Sequence, residues 1–159
     1  MKKLKEFNKI VEKFLQNEIY LSIISDFLDW FKRKLELFFY KTYKKIIPKK
    51  WEIFYINLWQ NVWSELNKIR PCIVYSKRKF NAWWTMIVIP LRSYKWKNKK
   101  NFLKIFPSIE NNLEKISIVD IFALKQVDKR RILNRVWKLE NKYLEEIDNI
   151  LLKILDIKK

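Results

Sequence analysis

The chain contains no histidine and a single cysteine, Cys72, and this narrows the chemistry that its side chains can perform. Without histidine there is no Ser-His-Asp or Cys-His nucleophilic site, and no paired-histidine acid-base catalysis of the kind many ribonucleases use. One cysteine cannot build a disulfide framework or a zinc finger. Any catalysis must therefore use carboxylate, lysine, arginine, tyrosine or hydroxyl groups.

The charge balance indicates what kind of partner the chain binds. Its 159 residues include 35 Lys and Arg against 17 Asp and Glu, a formal net charge of +18. The excess is concentrated in residues 51–110, where eleven cations face only Glu52, Glu65 and Glu110. An ordinary solvated surface mixes the two signs more evenly. The charge therefore favours a polyanionic partner, and nucleic acid is the first interpretation.

The pattern of apolar residues predicts the elements that position these groups. Helical spacing in residues 3–16 and 20–44 predicts two amphipathic helices, and Pro48 separates them from the rest of the chain. We expect an N-terminal helical extension over 1–48 and a second domain over 49–159. Short β-type runs at 53–56, 72–75, 86–89, 102–106 and 116–119 predict a small barrel or sandwich. A final apolar stripe predicts a helix over about 140–155.

No targeting signal is predicted. Glu6, Lys9, Glu12 and Lys13 interrupt the apolar segment that a signal peptide would need, and no apolar run approaches the roughly 18 to 20 residues that span a bilayer. Cys72 lies in an apolar run and is predicted to be a small buried hydrophobe, which fits a reducing cytoplasm. We expect a cytoplasmic protein without stable membrane insertion. The amphipathic helices either pack on the domain behind them or dock on a membrane surface or a partner.

Three segments, in order, resemble MazF/PemK-type toxins. Residues 51–76 resemble the family's opening, in which a strand beginning Gly-Asp leads through a Gly-Ser-Glu loop to Arg-Pro and a hydrophobic strand. Residues 87–93, Ile-Val-Ile-Pro-Leu-Arg-Ser, look like the family's Pro-Leu-Thr-Ser strand end, and residues 127–132 look like its Ile-Asp-Lys-x-Arg-Leu segment. The resemblance covers residues 50–157. It implies an α+β fold with an SH3-like small β-barrel, here with an N-terminal helical pair and a C-terminal helix.

The same resemblance implies an activity and a set of catalytic residues. It implies a homodimeric toxin that cuts single-stranded RNA at short sequences, uses no metal or cofactor, and is neutralised by a cognate antitoxin. Metal-free cleavage needs a base for the 2′-hydroxyl, a cation for the phosphorane and an acid for the leaving 5′-oxygen. Arg70, directly before Pro71, aligns with the family's catalytic arginine. Glu65 aligns with the acidic loop residue, either as the base or as the group that holds Arg70 in position.

The chain departs from the family at Arg92, where threonine is common. Either Arg92 takes over phosphate stabilisation, or Ser93 supplies the hydroxyl, or the activity has shifted. Basic and polar loop residues are predicted to bind RNA phosphates while nearby aromatic rings stack on bases, the alternative being a solvated basic loop. These residues are Ser64, Asn67, Lys68, Lys77, Arg78, Lys79, Lys95 and Lys97.

The glycine count is unusual, because the chain has none and has eight tryptophans. Average usage would give about 11 glycines. Several tryptophans fall where the family has glycine or where loops favour it, namely Trp51, Trp63, Trp137, Trp59, Trp96 and one of Trp83 or Trp84. A bulky residue fits a positive φ poorly. We hypothesise that the source lineage reads UGA as glycine and that the sequence was translated with UGA as tryptophan, which UGG codons at Trp51, Trp63 and Trp137 would contradict.

Two other classes of function stay open. A gyrase poison of the related CcdB-type fold would need no chemistry at Arg70 and would stall DNA supercoiling with RNA left intact. A non-catalytic nucleic-acid-binding module needs only the excess positive charge of residues 51–110, and Arg70→Ala would then only weaken binding. In the toxin interpretation, the antitoxin is expected to carry an acidic segment that folds across the basic face.

Overall fold

The chain divides into two compact units, Met1–Thr42 and Tyr43–Lys159. The computed structural model describes residues 2–15, 18–39, 46–58, 68–95 and 103–157. Every residue predicted to take part in catalysis or RNA binding belongs to the second unit.

The first unit is a pair of helices, α1 at Lys2–Leu15 and α2 at Glu18–Phe39. α1 is amphipathic and buries none of its residues. The rings of Phe14 and Tyr20 meet edge to face with centroids 5.3 Å apart, which joins the end of α1 to the start of α2. The predicted helical pair is confirmed, while residues 40–44 of the second predicted helix lie outside the described residues. None of the helices that the structure describes is long and apolar enough to cross a membrane.

In the described residues of the second unit, seven antiparallel strands form one sheet. They are β1 (Glu52–Asn57), β2 (Ile69–Val74), β3 (Thr85–Ser93), β4 (Lys104–Ile105), β5 (Ser117–Val119), β6 (Lys125–Asp128) and β7 (Ile132–Lys138). The strand order is β4-β5-β3-β2-β1-β7, and β6 pairs with β3. The predicted strand runs all contribute to this sheet. The mostly polar β6 and the mixed segment that forms β7 were not predicted as strands.

Strand β3 connects two parts of the sheet, because its partner changes along its length. Thr85–Val88 pairs with β6, whereas Leu91–Ser93 pairs with β5. Pro90, which has no N–H to donate, lies between the two pairings. The change of partner lets these short strands curl into a barrel-like domain, and helix α3 (Leu144–Ile154) follows β7. The predicted α+β fold with a C-terminal helix is confirmed.

Both faces of the central strands are buried. Side chains alternate along a strand, so Ile53 and Phe54 of β1 point to opposite faces. Ile53 and its β2 partner Ile73 join one core cluster, which Ile147 of α3 covers. Phe54 and its partner Cys72 join a second core cluster. Packing on both faces therefore holds the buried parts of β1 and β2, from which the partly exposed start of β2 extends.

Trp51, directly before β1, has a φ of 73°, in the left-handed region that favours glycine. Its N–H donates to the Val74 carbonyl at 2.7 Å and its carbonyl accepts from the Leu139 N–H at 2.9 Å, so neighbouring strands hold this conformation. The geometry at position 51 supports the glycine hypothesis. The other tryptophans of that hypothesis differ: Trp83, Trp84 and Trp137 lack a positive φ, and Trp59, Trp63 and Trp96 lie outside the described residues.

Replacing Trp51 with glycine should leave the protein about 1 kcal/mol more stable than replacing it with alanine. Both variants lose the ring, whose centroid lies 5.4 Å from that of Tyr75, so the difference between them isolates the backbone conformation. Thermal unfolding should show the glycine variant melting about 2–4 °C higher. Equal melting temperatures would contradict a left-handed backbone at this position.

Candidate active site

A cavity of about 160 Å³ lies at the end of the sheet where β2 begins and β3 ends. Three of the four predicted catalytic residues, Arg70, Arg92 and Ser93, line it together. The fourth, Glu65, lies outside the described residues. The full lining consists of Tyr55, Ile69, Arg70, Pro71, Leu91, Arg92, Ser93, Leu113, Glu114, Lys115 and Ser117.

Strand register brings the two arginines to the same cavity. Cys72 of β2 is paired with Pro90 of β3. Arg70 and Arg92 each lie two residues further along, so they take corresponding positions on the two antiparallel strands. Like charges at opposed positions repel one another. Asp120 offsets this repulsion, because the Arg92 Nε donates to its Oδ2 at 2.9 Å.

The ion pair with Asp120 orients the guanidinium of Arg92. The Asp120 side chain is only 11% exposed, and its backbone N–H donates to the Pro90 carbonyl at 3.0 Å, which fixes the carboxylate beside β3. The Arg92 side chain remains 41% exposed. A guanidinium is planar and carries donors on more than one edge, so one edge can hold Asp120 while another binds a phosphate oxygen. Arg92 is therefore suited to binding phosphate at the position where the family commonly has threonine.

Arg70 lies half-buried at the start of β2, close to the thiol of Cys72. Burial raises the pKa of the Cys72 thiol, while the charges of Arg70 and Lys125 act in the opposite direction. The thiol has no exposed surface, and its Sγ donates to the Arg70 carbonyl at 3.6 Å. The prediction that Cys72 is a buried hydrophobe is confirmed. Arg70 is the charged residue that this end of β2 contributes to the cavity, beside Ile69 and Pro71.

Three further polar residues of the cavity, Tyr55, Glu114 and Lys115, carry no local sequence signal. Tyr55 belongs to an ordinary apolar strand run, and Glu114-Lys115 is a charged pair in a connecting segment. Burial and then the nearby Glu114 carboxylate raise the pKa of the Tyr55 phenol. Tyr55 is therefore a neutral hydrogen-bond donor at physiological pH, close enough to Glu114 to be influenced by its charge.

A buried amide, Asn111, shapes the segment that carries Glu114 to the cavity. Asn111 has no exposed surface. Its Nδ2 donates to the Phe106 carbonyl at 2.8 Å, and its Oδ1 accepts the backbone N–H groups of Ser108 at 3.2 Å and Leu113 at 3.0 Å. One side chain thus satisfies three backbone groups of residues 106–113, which holds the segment in one conformation.

The same amide is bound to a buried carboxylate, Glu140, which precedes α3. The Asn111 Nδ2 lies 3.0 Å from both Glu140 oxygens, and the Ser108 hydroxyl donates to one of them at 2.8 Å. Burial by itself would raise the pKa of Glu140, but the hydrogen bonds from Asn111 and Ser108, with the nearby Lys142 ammonium, hold it below its ordinary value. The ionised Glu140 therefore ties the Glu114 segment to the end of the barrel.

The ionisable lining of the cavity is mostly cationic. Arg70, Arg92 and Lys115 contribute positive charge, and Glu114 contributes a carboxylate. Such a set suits a phosphodiester, because guanidinium and ammonium groups bind phosphate oxygens. In the ranges that the structure describes, no three Cys, Asp or Glu side chains are grouped as a metal ion would require.

Two of the predicted RNA-binding residues flank the cavity. Lys68 directly precedes β2 and Lys95 follows β3 by two residues, and both are exposed. They lie at the strand ends that form the cavity, where they can contact phosphates next to a bound nucleotide. Three other predicted RNA-binding residues, Ser64, Asn67 and Lys97, lie outside the described residues.

The remaining predicted RNA-binding residues lie at the opposite end of the β2–β3 hairpin. Lys77 and Lys79 line a second cavity of about 560 Å³ near the turn, and Arg78 is exposed between them. Ile87 of that cavity and Arg92 of the first are five residues apart, which is about 17 Å along β3. The structure does not bring these three basic residues to the Arg70 cavity.

Comparisons with solved structures show the same fold in bacterial toxins. MazF from Deinococcus radiodurans matches with a TM-score of 0.61 and 19% identity, over 70% of this chain and 99% of that one. An endoribonuclease from Mycobacterial species, solved in complex with its cognate antitoxin, matches with a TM-score of 0.56 and 12% identity, over 70% and 98%. Toxin MazF-mt6 from Mycobacterium tuberculosis matches with a TM-score of 0.54 and 12% identity, over 68% and 99%.

The sequence itself was also compared with known families. No curated protein matches it. The family described as the PemK-like, MazF-like toxin of type II toxin-antitoxin systems matches residues 49–155, a span that contains the whole lining of the Arg70 cavity. This span is more than half of the chain. The chain therefore belongs to the PemK-like, MazF-like toxin family of type II toxin-antitoxin systems.

Proposed function

We propose that this toxin is a metal-independent endoribonuclease that cuts single-stranded RNA, including mRNA, at a short recognition sequence. The observation that carries the proposal is the meeting of Arg70, Arg92 and Ser93 in one cationic cavity. Family membership supports the toxin role, and a mycobacterial protein of the same fold is named an endoribonuclease.

In the proposed reaction, the ribose 2′-oxygen attacks the adjacent phosphorus and its proton passes to a carboxylate. The bond between phosphorus and the 5′-oxygen breaks, the 5′-oxygen takes up a proton, and the products are a 2′,3′-cyclic phosphate and a 5′-hydroxyl. Arg70 stabilises the negative charge that develops on the phosphorane. Arg92, oriented by Asp120, binds a further phosphate oxygen, and the Ser93 hydroxyl donates a hydrogen bond. Glu65 keeps its predicted role as a base or as a positioning group for Arg70.

The proposed partners follow from charge and from the relatives. A net charge of +18 suits the RNA backbone and an acidic antitoxin segment. Structures of the Deinococcus radiodurans MazF with MazE, and of the mycobacterial endoribonuclease with its antitoxin, support a cognate antitoxin for this chain. A homodimer acting in the cytoplasm completes the proposal.

The test is incubation of a mixed-sequence single-stranded RNA with the folded protein in EDTA, followed by mapping of the cut ends. We expect cuts at a short recurrent sequence, with 2′,3′-cyclic phosphate on one side and 5′-hydroxyl on the other. Protein unfolded by heat serves as the control for contaminating ribonuclease. Intact RNA from folded protein would overturn the proposal. Inhibition of DNA supercoiling by the same sample would then favour the gyrase-poison interpretation.

A further inference from the structure

We propose that Glu114 is the carboxylate that accepts the 2′-hydroxyl proton, and that the nearby Tyr55 phenol donates a hydrogen bond to the departing 5′-oxygen. This inference rests on the proposed ribonuclease function. It names Glu114, in the segment before β5, as the general base. Glu65 then has at most a positioning role.

The position of Glu114 within the cavity is the first argument. A general base must lie beside the phosphate-stabilising group, because proton transfer needs hydrogen-bond reach. Glu114 lines the same 160 Å³ cavity as Arg70, and it is the carboxylate in that lining. The other acid near these arginines, Asp120, is buried in its ion pair with Arg92 and is not part of the lining.

The rigidity of the supporting segment is the second argument. Catalytic groups act efficiently when their supports hold them in place. Leu113, the residue directly before Glu114, is 7% exposed and belongs to the core cluster beneath α3. Its backbone N–H is held by the buried Asn111 at 3.0 Å. Glu114 itself is exposed, so its carboxylate is open to a substrate while its backbone is anchored from below.

The charge environment is the third argument. Glu114 shares the cavity with Arg70 from β2, Arg92 from β3, Lys115 from its own segment and Tyr55 from β1. The charge of Glu114 contributes to the raised pKa of the Tyr55 phenol, which places the two groups near each other and keeps the phenol protonated. A proton acceptor and a proton-bearing group therefore meet beside two phosphate-binding cations.

The proposed step conserves atoms and protons. The 2′-hydroxyl proton moves to the Glu114 carboxylate as the bond between the 2′-oxygen and phosphorus forms. The Tyr55 phenol donates a hydrogen bond to the departing 5′-oxygen, which takes its proton from water as its bond to phosphorus breaks. The protonated Glu114 then returns its proton to water. No oxidant, reductant or further reactant is needed.

The test compares the pH dependence of kcat/KM for RNA cleavage in the wild type, Glu114→Gln and Glu114→Asp. We expect Glu114→Gln to lower kcat/KM by about 10²–10⁴-fold and to remove the rise in rate that accompanies ionisation of the base in the wild type. Glu114→Asp keeps a carboxylate, so it should keep that rise at a lower rate. Glu110→Gln removes an exposed charge from the same segment and should leave both rate and profile unchanged. Far-UV circular dichroism checks that each variant is folded.

Several outcomes separate this inference from the function on which it rests. If the wild type cuts RNA and Glu114→Gln retains its rate and pH profile, the assignment of Glu114 is wrong and the ribonuclease proposal stands. The assignment would also be overturned if Glu65→Gln lost the increase of kcat/KM with pH while Glu114→Gln kept it. Glu65 would then be the base. If the wild type leaves RNA intact, the proposed function itself fails.

Discussion

Arg70→Ala is expected to lower kcat for RNA cleavage by about 10³-fold or more while changing KM much less. The reason is that Arg70 stabilises charge that exists only in the transition state, so its loss raises the barrier without removing the contacts that bind the RNA backbone. Arginine residues that contact a phosphoryl transition state contribute about 10³–10⁵ in rate. Steady-state kinetics on a short RNA containing the mapped cleavage sequence measures the effect.

Arg70→Lys is the matched control for this prediction. Lysine keeps the positive charge but lacks the planar pair of donors that grips two phosphate oxygens, so we expect only a small part of the wild-type rate. Arg70 is half-buried at the start of β2, and its side chain is not part of either core cluster. Both variants should therefore fold. A variant that binds RNA weakly but cuts it at an unchanged kcat would show that Arg70 only binds substrate.

Asn111→Leu is expected to lower the free energy of unfolding by about 3–5 kcal/mol, the largest stability effect predicted for this chain. The substitution leaves the buried Glu140 carboxylate without the amide that donates to both of its oxygens at 3.0 Å. It also leaves the N–H of Leu113 and the carbonyl of Phe106 without their partner. Denaturant unfolding of both proteins at neutral pH measures the difference.

The pH dependence of this effect follows from Glu140. Its pKa in the folded protein lies below its ordinary value, so the ionised group contributes stability above the unfolded-state pKa. That contribution is lost as pH falls through the folded-state pKa. The difference in free energy of unfolding between the wild type and Asn111→Leu should therefore become smaller in acid, where Glu140 is protonated in both proteins. A gap that stays constant with pH would show that the buried charge is not the cause.

Glu110→Gln is the stability control, because Glu110 is exposed on the same segment. We expect the free energy of unfolding to change by no more than about 0.5 kcal/mol.

Asn111→Leu and Glu110→Gln also differ in their expected effect on the cavity. Asn111 holds the backbone that carries Glu114, so Asn111→Leu should reduce RNA cleavage even under conditions where the variant is fully folded.

The types of residue available determined the chemistry that could be predicted from the sequence. In a chain without histidine and with a large excess of cations, arginine is the natural group to stabilise a phosphorane. Arg70 could be selected because the segment around Arg70-Pro71 resembles the toxin family's opening, where the catalytic arginine lies. β1, β2 and β3 could also be predicted, since their apolar runs are local signals. The hypothesis of a glycine at position 51 came from the resemblance to the toxin family, and the positive φ of Trp51 agrees with it.

Only the tertiary structure decided which distant residues meet. β6 (Lys-Gln-Val-Asp) is mostly polar and forms a strand because the first half of β3 pairs with it. β7 was not predicted as a strand. Its pairing with β1 contains two shifts of register, which a simple alternation of apolar and polar residues does not encode. Glu114 and Tyr55 are 59 positions apart and share a cavity only through the register of β1, β2 and β3 and the buried Asn111.

The separation of Lys77 and Lys79 from Arg70 has the same cause. All three lie in the basic stretch 51–110, but their two cavities lie at opposite ends of the β2–β3 hairpin, where the five residues from Ile87 to Arg92 alone span about 17 Å. Composition and short motifs specify which chemical groups are present and which strands form. Contacts across the sheet depend on pairing register and on buried side chains many residues away, so the grouping of those residues into a site emerges only when the chain is folded.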